Sequence, residues 1–432
     1  MSELNFTIAP AVEATSAPPI PKAQSWAAAF SASSSRELLD LSQGVPRAAP
    51  HPSVLSALAS TSSDPQSARY GPILGEPALR SAVAVELAAQ YATTADEKLT
   101  PQDVAITTGC NMAFLLMIMV LCSPNDSSIL LPLPAYFNQS MTLSLQSVQP
   151  LYIPCDPDAS FKPSLAEARK YLERENGRVE PRAIVLVSPN NPTGTVMTHS
   201  DVKAWYDLAT EFKVALVLDE TYRDFVEGED GERGRPHGLF EEDDWRGTLI
   251  SLGSFSKGYR IPGHRLGSII ASPYLLQRIA TLADCMQICP PRPPQLALAP
   301  LLPSLRPDLL ASSTALIHRR RLFHATVDGI AGWKTVSSGG FFAYVQFPLE
   351  YKKTSEEVAK ILASELGVIT LPGSFFMPAL EDPLWEELGD VGRLLKDDRW
   401  LRFAVANVED ETIEKLGPRL EEMNKLMEKG RW

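Results

Sequence analysis

The chain has 432 residues, 44% of them hydrophobic and 21% charged, with a formal net charge of −12. This length and apolar content suit one large or two moderate cores, and the ordinary charged fraction excludes a disordered chain. The acidic balance, with no basic stripe, argues against nucleic acid as a partner. Five cysteines (Cys110, Cys122, Cys155, Cys285 and Cys289) form no CxxC pair, which suggests reduced thiols in a cytoplasm-like compartment. Residues 1–22 lack the basic head and apolar run of a secretory signal. The strongest apolar run, Phe114–Cys122, is about half of the ~20 residues needed to span a bilayer, so no membrane partner is expected.

In chain order, residues 1–35 are rich in Ala, Ser and Pro and read as a mobile or draped arm. Leu79, Val83 and Leu87 give Pro77–Tyr91 helical spacing. Seven strand-like runs follow: Val104–Thr107, Ile129–Leu133, Pro150–Ile153, Ala183–Val187, Ala215–Leu218, Thr248–Leu252 and Leu266–Ala271. They are apolar on both faces and mostly separated by helical segments, which predicts an α/β domain with a seven-stranded, mostly parallel sheet. Glu227–Trp245 is charged and Gly-rich and reads as a surface excursion. A long helix is predicted over Arg306–Gly329. A smaller α+β unit follows, with strand Phe341–Phe347, helix Ser355–Leu366, strand Leu401–Ala406 and helix Glu411–Lys429.

Ligands in α/β domains sit beyond the carboxyl ends of the strands, and the polar signatures of this chain fall there. Ser254-Phe255-Ser256-Lys257 follows the run Leu249–Leu252, and Arg265 lies eight residues on. Hydroxyls and a guanidinium around a lysine make an anion pocket, and a lysine beside a phosphate-bearing aldehyde forms an imine. Asp219 ends the run Leu216–Leu218, with Tyr222 three residues on. Two readings are open for Asp219: a helix N-cap, or a carboxylate that keeps a pyridine nitrogen protonated. Ser188–Gly194 (SPNNPTG) is a turn that places the Asn191 amide at a strand end. Thr107–Asn111 closes another strand and opens a helix, where the backbone N–H groups of Cys110 and Asn111 suit phosphate. Tyr136 is either a stacking ring or plain core.

Lys257 with Ser254 and Arg265, Asp219 with Tyr222, the NPTG turn and Arg402 resemble the class I/II aminotransferases of pyridoxal-phosphate (PLP) fold type I, in order and spacing from Gly44 to Arg402. The resemblance implies PLP held by Lys257 as a Schiff base, with Lys257 also moving the substrate proton. It implies that Asp219 pairs with the ring nitrogen, that Asn191 and Tyr222 contact the ring oxygen, and that Tyr136 stacks on the ring. Ser254, Arg265 and the backbone of Cys110 and Asn111 would hold the phosphate. Arg402 would clamp the substrate carboxylate, near Gly44 and Asn191. Tyr70 would reach the phosphate of a neighbouring subunit, implying a homodimer. The implied organisation is an N-terminal arm (1–50) packing with the small domain, a large PLP-binding domain (51–305) and a small C-terminal domain (306–432).

Cys110 stands where the family usually has Ala or Ser, and no second arginine for a dicarboxylate side chain is evident. Arg292 is read as structural or solvated. Gln43-Gly44-Val45-Pro46 and Gly339-Gly340-Phe341-Phe342 resemble the branch that handles aromatic, kynurenine-like or other neutral amino acids. The expected activity is amino transfer from such an amino acid to a 2-oxo acid. The alternatives are a PLP-dependent lyase (carbon–sulfur elimination or an aminocyclopropane-carboxylate-synthase-like cyclisation) and an effector-sensing module. Cys285 and Cys289 are read as core packing and no metal is expected. His318–Arg321 is read as solvated or ion-paired, and His264 lies beside Arg265.

Overall fold

The computed structural model describes residues 4–33, 36–93, 98–173, 179–228, 234–379, 382 and 384–430. Its strands in chain order are β1 (Leu39–Asp40), β2 (Val104–Thr107), β3 (Ser127–Leu133), β4 (Gln149–Asp156), β5 (Lys162–Pro163), β6 (Glu180–Val187), β7 (Ala215–Asp219), β8 (Leu249–Ser254), β9 (Gly267–Ile270), β10 (Lys334–Gly339), β11 (Phe342–Gln346), β12 (Val368–Ile369), β13 (Leu371–Pro372) and β14 (Trp400–Ala404). Each of the seven apolar runs forms a strand. They join one sheet in the order β2-β9-β8-β7-β6-β3-β4-β5. Pairings among β8, β7, β6, β3 and β4 are parallel, whereas β9 runs antiparallel to both β2 and β8. The sheet has eight strands rather than seven, because β5 pairs antiparallel with the end of β4. Its proline is tolerated at a sheet edge, and two residues carry no periodicity for a sequence reading to find.

Side chains alternate across a strand, and both faces are buried. Ile184, Leu186, Leu216 and Leu218 pack into one core with helices Pro77–Gln90 and His199–Glu211. Ala183, Val185 and Val217 pack into another, against helices Cys110–Leu121 and Pro273–Gln287. The second sheet is antiparallel, in the order β10-β11-β14-β13. It buries Phe342, Val345 and Phe403 against helices Leu302–Asp328, Ser355–Leu366 and Asp410–Glu428. The middle of these three helices starts at a capping box, Thr354 with Glu357, and stops at Gly367, whose φ of +64° suits glycine.

Within the arm, two short helices form, Pro10–Ala14 and Ile20–Trp26. The second buries Ala23 beside Leu371 and Phe376 and pairs Lys22 with Glu356 at 2.6 Å. The Thr15 hydroxyl meets Ser144 at 2.9 Å, on the helix Phe137–Leu145 beside the large sheet. β1 pairs in parallel with β12 as a separate two-stranded sheet, and the Leu41 carbonyl accepts the Ala404 N–H of β14 at 2.8 Å, so the stretch approaching Gly44 is tied to the smaller sheet. Among the described residues no helix is long and apolar enough to cross a membrane.

Two sequence expectations fail here. Residues 229–233 of the supposed surface excursion lie outside the described residues, but 234–245 do not stand off the surface. His237, Leu239, Phe240 and Trp245 are buried, and the Phe240 and Trp245 rings meet edge-on at 5.1 Å. The charged letters between them hide an apolar plug. Cys285 is exposed rather than packed in a core, while the Cys289 sulfur accepts the Gly71 N–H at 3.3 Å. Trp245→Ala should therefore destabilise the chain by about 3–5 kcal/mol, as expected for emptying a large core site. Chemical denaturation measures this, and a change below ~0.5 kcal/mol would instead mark a surface position.

Candidate active site

Registers bring the ends of β6, β7 and β8 level, with Val187 beside Asp219 and Asp219 beside Leu252. Beyond them lies a cavity of about 170 Å³ lined by Cys110, Asn111, Tyr136, Asn191, Asp219, Tyr222, Ser254, Lys257 and Arg265. Nine of the twelve residues singled out in the sequence thus share one wall or another of it. Gly44 and Arg402 border it. Tyr70 does not reach it: the ring is 79% exposed.

The side chains arrive from several strand ends, some in pairs: Cys110 and Asn111 from the end of β2, Asp219 and Tyr222 from that of β7, and Ser254 and Lys257 from that of β8. Ser254 closes β8, and its hydroxyl accepts the Ser256 N–H at 3.2 Å, starting the short helix that carries Lys257. The Lys257 amine donates to the Gly44 carbonyl at 2.5 Å. Burial, then Arg402 and Arg265, lower its pKa to about 8. Cys110 and Asn111 open the helix Cys110–Leu121. Gly109 precedes them at φ +83°, and a Cβ there would overlap the Arg265 guanidinium. A Cβ on Gly267 would lie 2.6 Å from the Cys110 nitrogen. The glycines let a guanidinium and free helix N–H groups crowd one spot, which is an anion cradle.

In the same cavity Asp219 is buried, which raises its pKa; bonds from Thr221 and Cys110 work against that rise. The carboxylate accepts the Thr221 hydroxyl at 2.8 Å and Gln139 Nε2 at 3.0 Å. Glu220, the next residue, points to the opposite layer and accepts the Tyr91 hydroxyl at 2.6 Å. The Tyr136 hydroxyl accepts from Asn138 at 2.9 Å, and burial pushes its pKa to about 12. The Tyr222 ring packs on Phe342 at 5.2 Å, and its phenol is held neutral by burial.

Arg402 comes from β14 of the smaller sheet. Its Nη1 donates to Asn191 Oδ1 at 2.9 Å and its Nη2 to the Ser42 carbonyl. The guanidinium lies 4.5 Å from the Phe342 ring centroid and 5.2 Å from that of Phe376. Its Nε is buried with no partner among the described residues, and burial lowers its pKa to about 10. Sequence reasoning missed Gln139, Thr221, Phe342 and Phe376 as parts of this wall. A signal existed for Gln139 alone: it shares the buried face of its helix with Leu143, four residues on, where an amide needs a partner. Arg292 is engaged within its own chain, with Nε on Glu76 at 2.6 Å and Nη1 on the Gln66 and Arg69 carbonyls at 2.7 and 3.2 Å. His264 is exposed.

A buried lysine, a strand-end carboxylate and an anion cradle around one cavity are the outline shared with known proteins. The description "Aminotransferase class I and II" matches residues 36–420. The chain belongs to this family. Among its relatives, an aspartate aminotransferase of Pyrococcus abyssi is 26% identical over 72% of this chain and 77% of its own. An aromatic-amino-acid aminotransferase of Thermococcus litoralis is 27% identical over 72% and 77%. The crystal structure of an aminotransferase from Mycobacterium tuberculosis superposes with a TM-score of 0.80 at 23% identity, covering 97% of this chain and 99% of that one.

The family is PLP-dependent, and the protein is a PLP-dependent aminotransferase. The cavity fits that cofactor on its own chemistry. The cradle of Gly109 and Arg265 suits a phosphate, and the Asp219 carboxylate suits a protonated ring nitrogen. Gln139 Oε1 and Arg402 Nε, buried polar atoms without partners among the described residues, remain to be satisfied nearby.

A lowered lysine pKa means that the reactive neutral amine is present above pH 8 rather than above the ordinary lysine value. The rate at which the cofactor-free chain captures PLP should therefore rise with pH through a midpoint near 8. Arg402→Met removes a neighbouring positive charge and should move that midpoint upward. Stopped-flow absorbance measures both, and a midpoint unmoved by the substitution would mean Arg402 does not act on the amine.

Proposed function

We propose that this aminotransferase takes its amino group from a neutral or aromatic amino acid, working as a cytoplasmic homodimer. The observation that carries the substrate class is the engagement of Arg292. Its guanidinium is spent on Glu76 and two backbone carbonyls, so it is poorly placed to receive a side-chain carboxylate. Phe342 and Phe376 beside Arg402 offer apolar surface instead. Screening should give kcat/KM for phenylalanine, tyrosine or kynurenine at least about tenfold above aspartate, worth ~1.4 kcal/mol. Equal or better use of aspartate would overturn the assignment.

In this reading the residues divide the work. PLP, when bound, acts as an electron sink for the bonding pair of the substrate Cα–H bond. Lys257 carries the cofactor and afterwards takes and returns the proton as general base and acid. Asp219 keeps the ring nitrogen protonated, while Asn191 and Tyr222 orient the ring oxygen. Tyr136 stacks on the ring face. Ser254, Arg265, Cys110 and Asn111 hold the phosphate. Arg402, with Asn191 and the backbone at Gly44, fixes the substrate carboxylate by a planar, two-pronged contact. Domains follow the same logic: an arm over 1–50, a large PLP-binding domain over 51–305 and a small domain from 306. Leu302 and Leu305 of the long helix pack in the larger core and Phe323 and Val327 in the smaller, which supports that division. Mixing the enzyme with one accepted amino acid should load one amino group per site onto the cofactor, and a 2-oxo acid should reverse this. Continuous ammonia release would point instead to elimination.

The dimer reading is supported by Tyr70, exposed on a loop that Arg292 pins down from within its own chain. A rigid, exposed tyrosine suits a neighbouring copy better than its own cavity. Five free cysteines support a reducing compartment. Two inactive variants, Tyr70→Ala and Lys257→Ala, should regain partial activity when unfolded together and re-associated, because some hybrid dimers carry one intact site. A fully active monomer in sedimentation would exclude shared sites.

A further inference from the structure

The Asp219 carboxylate offers about four lone-pair positions, two on each oxygen, and the chain fills them unevenly. Oδ1 accepts the Thr221 N–H at 3.2 Å, the Thr221 hydroxyl at 2.8 Å and the Cys110 thiol at 3.7 Å. Among the described residues Oδ2 accepts one bond, from Gln139 Nε2 at 3.0 Å. Oδ1 is saturated, and Oδ2 retains an open position.

The two longer-range donors reach Asp219 from opposite directions. Cys110 follows β2, three places from β7 on one side of the sheet order; Gln139 follows β3, two places away on the other. Gln139 is 2% exposed, and its Oε1 has no partner among the described residues. Among the described residues its side-chain amide makes one hydrogen bond, the one to Asp219. Burial, and then the nearby Asp219 charge, push the Cys110 thiol well above its ordinary pKa. The sulfur thus keeps its proton and acts as a donor rather than a nucleophile.

We propose that Cys110 and Gln139 are positioning residues that clamp Asp219 in its charged form, with Oδ2 turned to the ring nitrogen of the cofactor. This rests on the reading that Asp219 pairs with that nitrogen. Burial favours the neutral acid at Asp219, and a neutral acid cannot hold a pyridine nitrogen protonated. Hydrogen bonds donated to the charged form oppose that tendency. The thiol is a weak donor and the amide a stronger one, so the two contributions differ in size but share a sign. Neither residue titrates in the working range, so the clamp holds without a pH switch of its own.

The test loads the enzyme with PLP carrying ¹⁵N at the ring and follows its NMR shift against pH, independently of turnover. Gln139→Met keeps the side-chain volume and removes the donor; it should lower the pKa of the ring nitrogen by about one unit or more. Its kcat should fall by about tenfold or more while KM changes far less, the pattern of an interaction felt in the transition state. Cys110→Ala should shift the nitrogen the same way by less, and Cys110→Ser should restore it through a hydroxyl donor. Asp219→Asn serves as the reference. If that variant leaves the nitrogen protonated, the pairing of Asp219 with the ring fails. If it deprotonates the nitrogen while Gln139→Met or Cys110→Ala keeps the wild-type titration, the clamp fails and the pairing stands.

Discussion

A carboxylate removed from water neutralises itself unless something nearby makes its charge worth keeping. Asp219 sits in that position, 7% exposed at the end of a strand buried on both faces. Around it the larger sheet has assembled a hydroxyl, a backbone N–H, an amide and a thiol. Much of the local architecture follows from this need. β7 must end level with β6 and β8 so that the loops after them converge. The helices after β2 and β3 must begin close enough to lend Cys110 and Gln139.

The cations obey the complementary rule. Lys257, Arg265 and Arg402 are brought toward one cavity, where burial and mutual repulsion lower the pKa of Lys257. None is left idle. Lys257 rests on the Gly44 carbonyl, Arg265 on that of Pro262, and Arg402 on Asn191 and Ser42. These are uncharged oxygen partners, weaker than the carboxylates and phosphates that charge-assisted bonds favour. Among the described residues no ion pair holds these three groups, so an anionic ligand exchanges with modest contacts.

How much of this was legible in the sequence depended on the physics of each element. Runs such as Ala183–Val187 stand out because a strand buried on both faces is continuously apolar. Lys257, Asp219 and Asn191 stand out because polar residues just past such runs occupy the ligand-binding end of the sheet. β1, β5, β12 and β13 span two residues each and leave no pattern. The plug at 234–245 was hidden by composition, since Phe240 and Trp245 are outnumbered by charged and glycine neighbours. Gln139 and the Phe342–Arg402–Phe376 stack depend on contacts between distant segments, which no local period encodes.

The stretch Ser42–Gly44 joins these themes. It continues from β1, whose neighbour Leu41 exchanges backbone bonds with Ile369 of β12 and Ala404 of the smaller sheet, at 2.8 Å each. Its own carbonyls, at Ser42 and Gly44, receive Arg402 and Lys257. One end of this short peptide is therefore bolted to the part of the molecule that carries Arg402, while the other touches Lys257. Any change in what Lys257 or Arg402 holds alters the load on the same few backbone atoms. The cavity and the smaller sheet thereby share a tether three residues long.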